Sequence, residues 1–293
     1  MFQVIIHRLL ERRHFWRIAD FSELSELYAT RLLRALAVNM VSIFVLIYLL
    51  QNGYSLAFTL GYAAIYMVAR ALFVWPNAYL IAIIGPKHAT LVSNLVYIPA
   101  LISLSFLPEF GLPVLIGFGL LQAVSVSLYD ISYAVNFSKI KHVDHTGKEL
   151  SFMYMFEKIA AALSPLIGGA IATLFGAQWA LYGAAFLFFI AASPLLFTPE
   201  QVSTHQRIRF RGINWHLIRR NLLSQVSVGV DAGASAGIWS LFLALIVFTG
   251  SGNVLYLEIG AVSSITILSA LVVARIYGVL IDRHKSSQLL IMG

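Results

Sequence analysis

Residues 177–197 are AQWALYGAAFLFFIAASPLLF, a run of 21 residues without a charged side chain. About 20 mostly apolar residues in a helix are enough to cross the hydrocarbon core of a bilayer. The whole chain has this character, because 59% of its 293 residues are hydrophobic and only 11% are charged. A soluble domain typically has about 25% charged residues and could not bury so much apolar side chain. The composition therefore predicts an all-α, polytopic membrane protein.

Eight apolar runs are predicted to be membrane spans. They cover residues 32–52, 55–84, 89–107, 112–137, 150–174, 177–197, 221–249 and 253–281. A basic stretch, residues 201–220, separates the sixth run from the seventh. We therefore expect a six-helix transmembrane half at 1–200, a basic cytoplasmic linker at 201–220, and the first part of a second transmembrane half at 221–293.

The distribution of cations predicts the orientation. If both termini and the even-numbered loops share one side, that side holds 17 of the 20 Lys and Arg residues, with Arg31 and Arg34 counted in the N-terminal arm. The opposite loops hold none, and the other three cations lie inside predicted spans. Because Lys and Arg are enriched in cytoplasmic loops, we expect a multi-pass protein of the cytoplasmic (plasma) membrane with its N-terminus in the cytoplasm. The net charge of +7 is assigned to these loops rather than to nucleic-acid binding.

Catalytic and metal-binding patterns carry little weight in the sequence: Gly233-Ala234-Ser235-Ala236-Gly237 matches a nucleophile elbow but lies within a predicted span, and His142-Val143-Asp144-His145 lies in a basic loop without a further ligand cluster. The sequence contains no cysteine, which excludes disulfides, thiolate metal sites and thiol nucleophiles. It contains no Gly-x-x-x-x-Gly-Lys phosphate loop, so ATP-driven transport is not predicted. We therefore predict neither an enzyme nor a bound metal or cofactor.

A specific motif lies at the end of the eighth predicted span. Gly278-Val279-Leu280-Ile281-Asp282-Arg283, followed by basic residues, resembles the Gly-x-Leu-x-Asp-Arg loop signature of the major facilitator superfamily. In that family the loop joins the second and third helices of each six-helix half and acts in gating. The segment 200 residues earlier keeps Gly85 and Lys87 but has Ala82 and Ile83 where the family has Asp and Arg. The resemblance thus implies one intact gating loop at Gly278, Asp282 and Arg283, and a degenerate first copy.

The fifth predicted span carries a second motif. Ser164-Pro165-Leu166-Ile167-Gly168-Gly169 is similar to the Gly-Pro-x-x-Gly-Gly element of many antiporters in the family. One interpretation is antiport. The other is helix packing by Pro165, Gly168 and Gly169, which requires no antiport.

The length of the chain differs from that of a complete family member. Two equal six-helix halves would contain four more spans than the eight predicted here. We therefore expect the sequence to be truncated after the eighth span.

Ionisable groups within spans are candidates for a solute or ion pathway, because they are costly at membrane depth. Arg70, Asp130, Glu157 and Asp231 are the candidates named on this basis. The resemblance implies that the first, fourth and seventh helices line the central cavity, which adds Asn39 and again selects Asp130 and Asp231. A carboxylate there could carry a proton or pair with a cationic solute. The alternative is a structural ion pair, such as Arg70 with Asp130 on the neighbouring helix.

The resemblance implies a secondary active transporter that moves a small solute by alternating access. Proton-coupled antiport or efflux is included in this hypothesis, and the Asp282-Arg283 loop would act as a latch. The alternative is a non-transporting membrane scaffold or assembly protein built on the same helices. The sequence does not identify the substrate, the direction of transport, the coupling ion or the oligomeric state.

Overall fold

The computed structural model describes residues 23–140, 146–197, 199–200, 202, 237–250 and 252–284, with isolated positions at 215, 219, 226 and 229. Its regular elements are helices throughout these residues, which confirms the predicted polytopic helical bundle. Side chains are described from residue 153 in the fifth span and up to residue 273 in the last helix. Asp231 lies outside the described residues, as does nearly half of the seventh predicted span.

Each helix is named here by the predicted span that it matches. Span 1 comprises Glu23–Ser42 and Val45–Gln51, span 2 comprises Leu56–Leu72 and Val74–Ile84, span 3 is Pro86–Ser105, span 4 is Leu112–Ile140, span 5 is Thr146–Phe175, span 6 is Ala177–Ala192, and span 8 is Leu255–His284. Shorter elements are the helices Leu107–Phe110 and Trp239–Phe242, the π-helix Leu243–Val247, and the 3-10 turns Ser193–Leu196 and Gly252–Val254. Six of these helical stretches are long and apolar enough to cross a membrane alone, and the bent span 2 is a seventh.

Span 1 begins earlier than predicted. The prediction of 32–52 is wrong at its start, because the apolar helical stretch covers Leu24–Gln51. Arg31 and Arg34 therefore lie inside the bundle and not in the N-terminal arm. Glu26, Thr30 and Arg34 follow each other at intervals of four residues, so they share one helix face, and all three are buried. The polar partners of Glu26 and Arg34 lie on other spans, which a hydropathy pattern cannot show.

Span 2 is bent by 41° between Leu72 and Val74. Pro76 lies in the first turn of the second segment, where its missing N–H leaves the carbonyl group of Leu72 without a helical donor. The second segment is fastened to span 4 by Asn77, whose Nδ2 donates hydrogen bonds to Val124 O at 3.1 Å and Ser127 Oγ at 2.5 Å. The predicted single span at 55–84 is therefore two helical segments.

The apolar core of the bundle lies between spans 1, 3, 4 and 6. Leu101, Leu104, Phe118 and Phe188 are almost fully buried there, and the rings of Tyr97 and Phe188 stack with centroids 4.3 Å apart. Large apolar side chains also cover the outside of the bundle; Ile65, for example, is 70% exposed. Such an exposed apolar surface is suited to lipid.

Span 8 packs against span 5 along a surface of small residues. A Cβ on Gly169 would lie 3.0 Å from the carbonyl carbon of Tyr256, and one on Gly260 would lie 2.9 Å from that of Pro165. The backbone N–H of Leu166 donates a hydrogen bond to Ser264 Oγ at 3.2 Å. Both glycines therefore allow an approach of the two helices that any other residue would prevent.

Candidate functional site: charged residues within the spans

Arg70 and Asp130 form an ion pair between spans 2 and 4. Arg70 Nη2 donates to Asp130 Oδ2. The two side chains are 38% and 48% exposed, so the pair lies at the surface of the described bundle. Arg70 belongs to the first segment of span 2, just before the bend. The ion pair therefore fastens this segment to span 4, as Asn77 fastens the second segment.

A second ion pair joins spans 1 and 5. Arg31 donates from Nε, at 2.9 Å, and from Nη2 to the same oxygen of Glu157. The guanidinium carbon of Arg31 also lies 4.7 Å from the ring centroid of Tyr133 on span 4. Glu157, which was predicted as a pathway residue, thus pairs with an arginine that the sequence did not indicate as its partner.

Arg34 is buried at the centre of the bundle, where only 4% of it is exposed. Its guanidinium donates to Asn94 Oδ1 at 2.7 Å and to Ser125 Oγ at 3.3 Å. The guanidinium carbon lies 3.9 Å from the ring centroid of Tyr129 and 5.2 Å from that of Phe188. Among the described side chains no carboxylate pairs with it, so its charge is stabilised by neutral acceptors and aromatic faces. Arg34 therefore joins span 1 to spans 3, 4 and 6.

Lys87 and Glu26 form the most deeply buried ion pair. Lys87 Nζ lies 2.8 Å from Glu26 Oε2, and the side chains are 2% and 0% exposed. The pair lies at the basal end of the bundle, defined here as the end that holds the start of span 1 and the turn between spans 2 and 3. Lys87, predicted as part of the gating loop, has its side chain packed inside the bundle.

Asn39 is hydrogen-bonded within its own helix through its amide nitrogen. Its Nδ2 donates to the carbonyl oxygen of Ala35, one turn earlier in span 1, at 2.8 Å. The side chain is half-buried. Gly168 of span 5, one of the predicted packing residues, lies against Met40 of span 1. A Cβ on Gly168 would lie 2.8 Å from Met40 Cγ.

The intact gating motif is described only in its backbone. Gly278, Asp282 and Arg283 are helical and belong to the end of span 8. Their side chains lie outside the described residues. The roles predicted for these three residues therefore stay predictions.

The geometry brings together some of the predicted residues and adds others. Arg70 and Asp130 meet, whereas Glu157 meets Arg31, which the sequence analysis had placed in the N-terminal arm. Glu26 was missed because the predicted span began at residue 32, and Arg34, although within 32–52, was counted with the N-terminal arm. The interval of four residues from Glu26 through Thr30 to Arg34 was the signal that could have extended the helix.

The sequence matches the Major Facilitator Superfamily model over residues 27–293, which is nearly the whole chain. The chain belongs to this superfamily. Members of the Major Facilitator Superfamily are membrane transporters rather than enzymes. No curated protein matches the sequence.

Solved structures with a similar fold are transporters of the POT family. A POT family transporter in complex with 5-aminolevulinic acid has a TM-score of 0.55 and 13% identity, over 72% of this chain and 46% of that one. Another, in complex with a thioalcohol-conjugated peptide, has a TM-score of 0.56 and 15% identity, over 77% and 49%. A POT peptide transporter has a TM-score of 0.55 and 14% identity, over 89% and 53%. At these identities the likeness shows the fold alone, and the chain spans about half the length of these structures.

Proposed function

We propose that this chain works in secondary active transport and moves a small solute by alternating access. Spans 1–6 would form one body, and the unit that begins near residue 221 would form the second. The observation that carries this proposal is the difference between the bonds inside the six-span bundle and those between spans 5 and 8. The excess of basic residues at the basal end supports placing that end in the cytoplasm.

Polar bonds between different spans support the first body. Arg34 bonds to span 3 through Asn94 and to span 4 through Ser125. The hydroxyls of Thr90 and Ser132 join spans 3 and 4 at 2.9 Å. Because lipid offers no alternative partner to these groups, each bond resists displacement of one helix past another.

The contact between spans 5 and 8 supports movement between the two bodies. Glycine residues bring the helix backbones together there, and the polar contacts described between span 8 and the other spans are two hydrogen bonds, from Leu166 N–H to Ser264 Oγ and from Tyr256 Oη to Gln51 Oε1 of span 1. A surface with small residues and few polar bonds has a low cost of sliding and tilting. Rocking of the second unit about this contact would open the pathway to one side and then to the other.

Protons are the proposed coupling ion, and Asp130 and Glu157 are the proposed carriers. Each carboxylate is held by an arginine on another span, Arg70 for Asp130 and Arg31 for Glu157. Protonation would neutralise the carboxylate and remove the ion pair that ties two spans together. The other bonds between these spans would keep the first body together, so a proton taken up from one side would change the charge that this body carries, which is a requirement for coupling.

The proposal is tested in proteoliposomes that contain the chain and a pH-sensitive dye in the lumen. The first probes are 5-aminolevulinic acid and dialanine, which are of the same chemical kinds as the ligands in the matched structures. A solute that the protein exchanges for protons will collapse an imposed pH gradient.

Asp130→Asn should abolish this response, and Glu109→Gln, in the exposed turn between spans 3 and 4, should preserve it. A response that survives both Asp130→Asn and Glu157→Gln would contradict proton coupling through these residues. The transport proposal itself would fail if labelled solutes crossed no faster than through empty liposomes under any gradient.

A further inference from the structure

We propose that Glu200 completes the degenerate first copy of the gating loop by docking the start of the linker onto the turn between spans 2 and 3. The family places an acid in this loop, and the sequence has Ala82 at that position. Glu200 brings a carboxylate to the same turn from a point 118 residues further along the chain. It is a positioning residue, and its effect on transport rests on the function proposed above.

The Glu200 carboxylate is bonded to the start of span 3. Oε2 accepts hydrogen bonds from the backbone N–H of Lys87 at 2.8 Å and of His88 at 3.3 Å, and it lies 3.4 Å from His88 Nδ1. Oε1 accepts from the backbone N–H of Val202 at 3.2 Å. The first N–H groups of a helix have no partner within it, and a negative charge there is favourable. Only 8% of the Glu200 side chain is exposed, so the carboxylate is seated in the turn.

Gly85 is shaped to receive this carboxylate. Its φ of +89° lies in the left-handed region that favours glycine. A Cβ at this position would lie 2.5 Å from Glu200 Oε2 and 2.9 Å from Glu200 Cδ. The backbone therefore favours glycine here, and a Cβ would also have to displace the end of the docked side chain.

Lys87 extends the contact to span 1. Its backbone N–H bonds to Glu200, and its side chain pairs with Glu26 inside the bundle. One residue thus connects the start of the linker, the start of span 3 and the base of span 1. The linker would then leave the first body from a fixed point, and movements of the second body would pivot about residue 200.

Docking is tested by electron paramagnetic resonance on the full chain in lipid nanodiscs. Because the sequence contains no cysteine, Pro199→Cys and Lys139→Cys give two unique spin-label sites, and both positions are exposed at the basal end. A docked linker should give one narrow distance distribution. Glu200→Ala should shift the equilibrium roughly fivefold towards the undocked form, which broadens the distribution, and Glu200→Asp should restore part of the narrow component.

A matched pair of glycines separates docking from backbone strain. Gly85 and Gly176 both precede a span with positive φ, +89° and +102°, but a Cβ on Gly176 would meet nothing within 4 Å. Gly85→Ala should release the linker, and Gly176→Ala should leave the distribution narrow. In the Glu200→Ala background, Gly85→Ala should add no further broadening. If Gly85→Ala does not fold, Glu200→Ala carries the test alone.

The outcomes distinguish this inference from the transport proposal. A distribution that Glu200→Ala leaves unchanged would overturn docking, whether or not the protein transports. If docking is observed, Glu200→Ala in an active transporter should lower the maximal rate about fivefold with little change in KM, since the residue does not touch the solute. A fall in affinity at an unchanged maximal rate would overturn the positioning role. Docking without any transport would contradict only the proposed function.

Discussion

The interior of the six-span bundle and the contact between spans 5 and 8 are held together by different physics. In the interior, side chains bond across spans through guanidinium, amide and hydroxyl groups, with Arg34 at the centre and Lys87 with Glu26 at the basal end. Between spans 5 and 8, Gly169 and Gly260 bring two backbones together with little polar bonding among the described residues. Hydrogen bonds and ion pairs in the interior fix the relative positions of the helices. The close packing of spans 5 and 8 sets the distance between these two helices, but few directional bonds fix the angle between them.

The difference suggests where the protein deforms. A hydrogen bond between helices in a membrane contributes about 0.6 kcal/mol on average, so several of them together resist movement within the bundle. Close backbone packing gains its energy from van der Waals contact, which is not directional as a hydrogen bond is. The following three changes test this comparison.

The largest effect is expected from breaking the buried pair of Lys87 and Glu26. Lys87→Met leaves the Glu26 carboxylate buried without its cation, which costs about 3–5 kcal/mol. Thermal unfolding of the purified protein in detergent measures the loss. The double variant Glu26→Met with Lys87→Met should recover most of it, because no buried charge then remains. A double variant as unstable as the sum of the two single variants would contradict this explanation.

An intermediate effect is expected from filling the contact between spans 5 and 8. Gly260→Ala would force Pro165 and its neighbours away from span 8, and such overpacking costs about 1–3 kcal/mol. Gly117→Ala on span 4 is the matched control, because a Cβ there meets nothing within 4 Å. Both variants are compared in the same unfolding assay. Equal stability of the two variants would show that spans 5 and 8 are not in close contact in the lipid-bound protein.

The smallest effect is expected from removing a single hydroxyl within the bundle. Thr90→Val loses the bond to Ser132 at nearly constant shape and should cost about 0.6 kcal/mol. Thr266→Val on span 8 is the control, since its exposed hydroxyl bonds only to its own helix at Val262 O. Denaturant unfolding of both variants gives the difference. If Thr266→Val loses as much stability as Thr90→Val, the result would contradict the claim that hydrogen bonds between spans hold the bundle in place.

The sequence was sufficient for seven of the eight predicted spans, counting the bent span 2 as one, because the length of an apolar run is a local property. The bend in span 2 follows from Pro76, which is also visible locally. The extended start of span 1 was missed because Arg34 is stabilised by Asn94, 60 residues away, and Arg31 by Glu157, 126 residues away. Hydropathy counts these arginines as solvent-exposed, and only the tertiary structure supplies their partners.

The candidate site was likewise predictable only in part. Arg70 and Asp130 were selected by their depth, and the possibility that they pair was stated from the sequence. The docking of Glu200 was not predictable, because a single carboxylate after span 6 carries no pattern that indicates its partner. The missing acid at Ala82 is the signal that could have prompted a search for a substitute.

The central claim is that spans 1–6 move as one body relative to span 8. Spin labels on the cysteine-free chain test it directly, with one pair at Glu109→Cys and Trp179→Cys inside the bundle and one at Glu109→Cys and Val254→Cys across the contact, all at exposed positions. In lipid nanodiscs at neutral and acid pH, the first pair should keep one distance, and the second should change its distance distribution. A first pair that changes as much as the second, or a second pair that keeps one distance under both conditions, would contradict the claim.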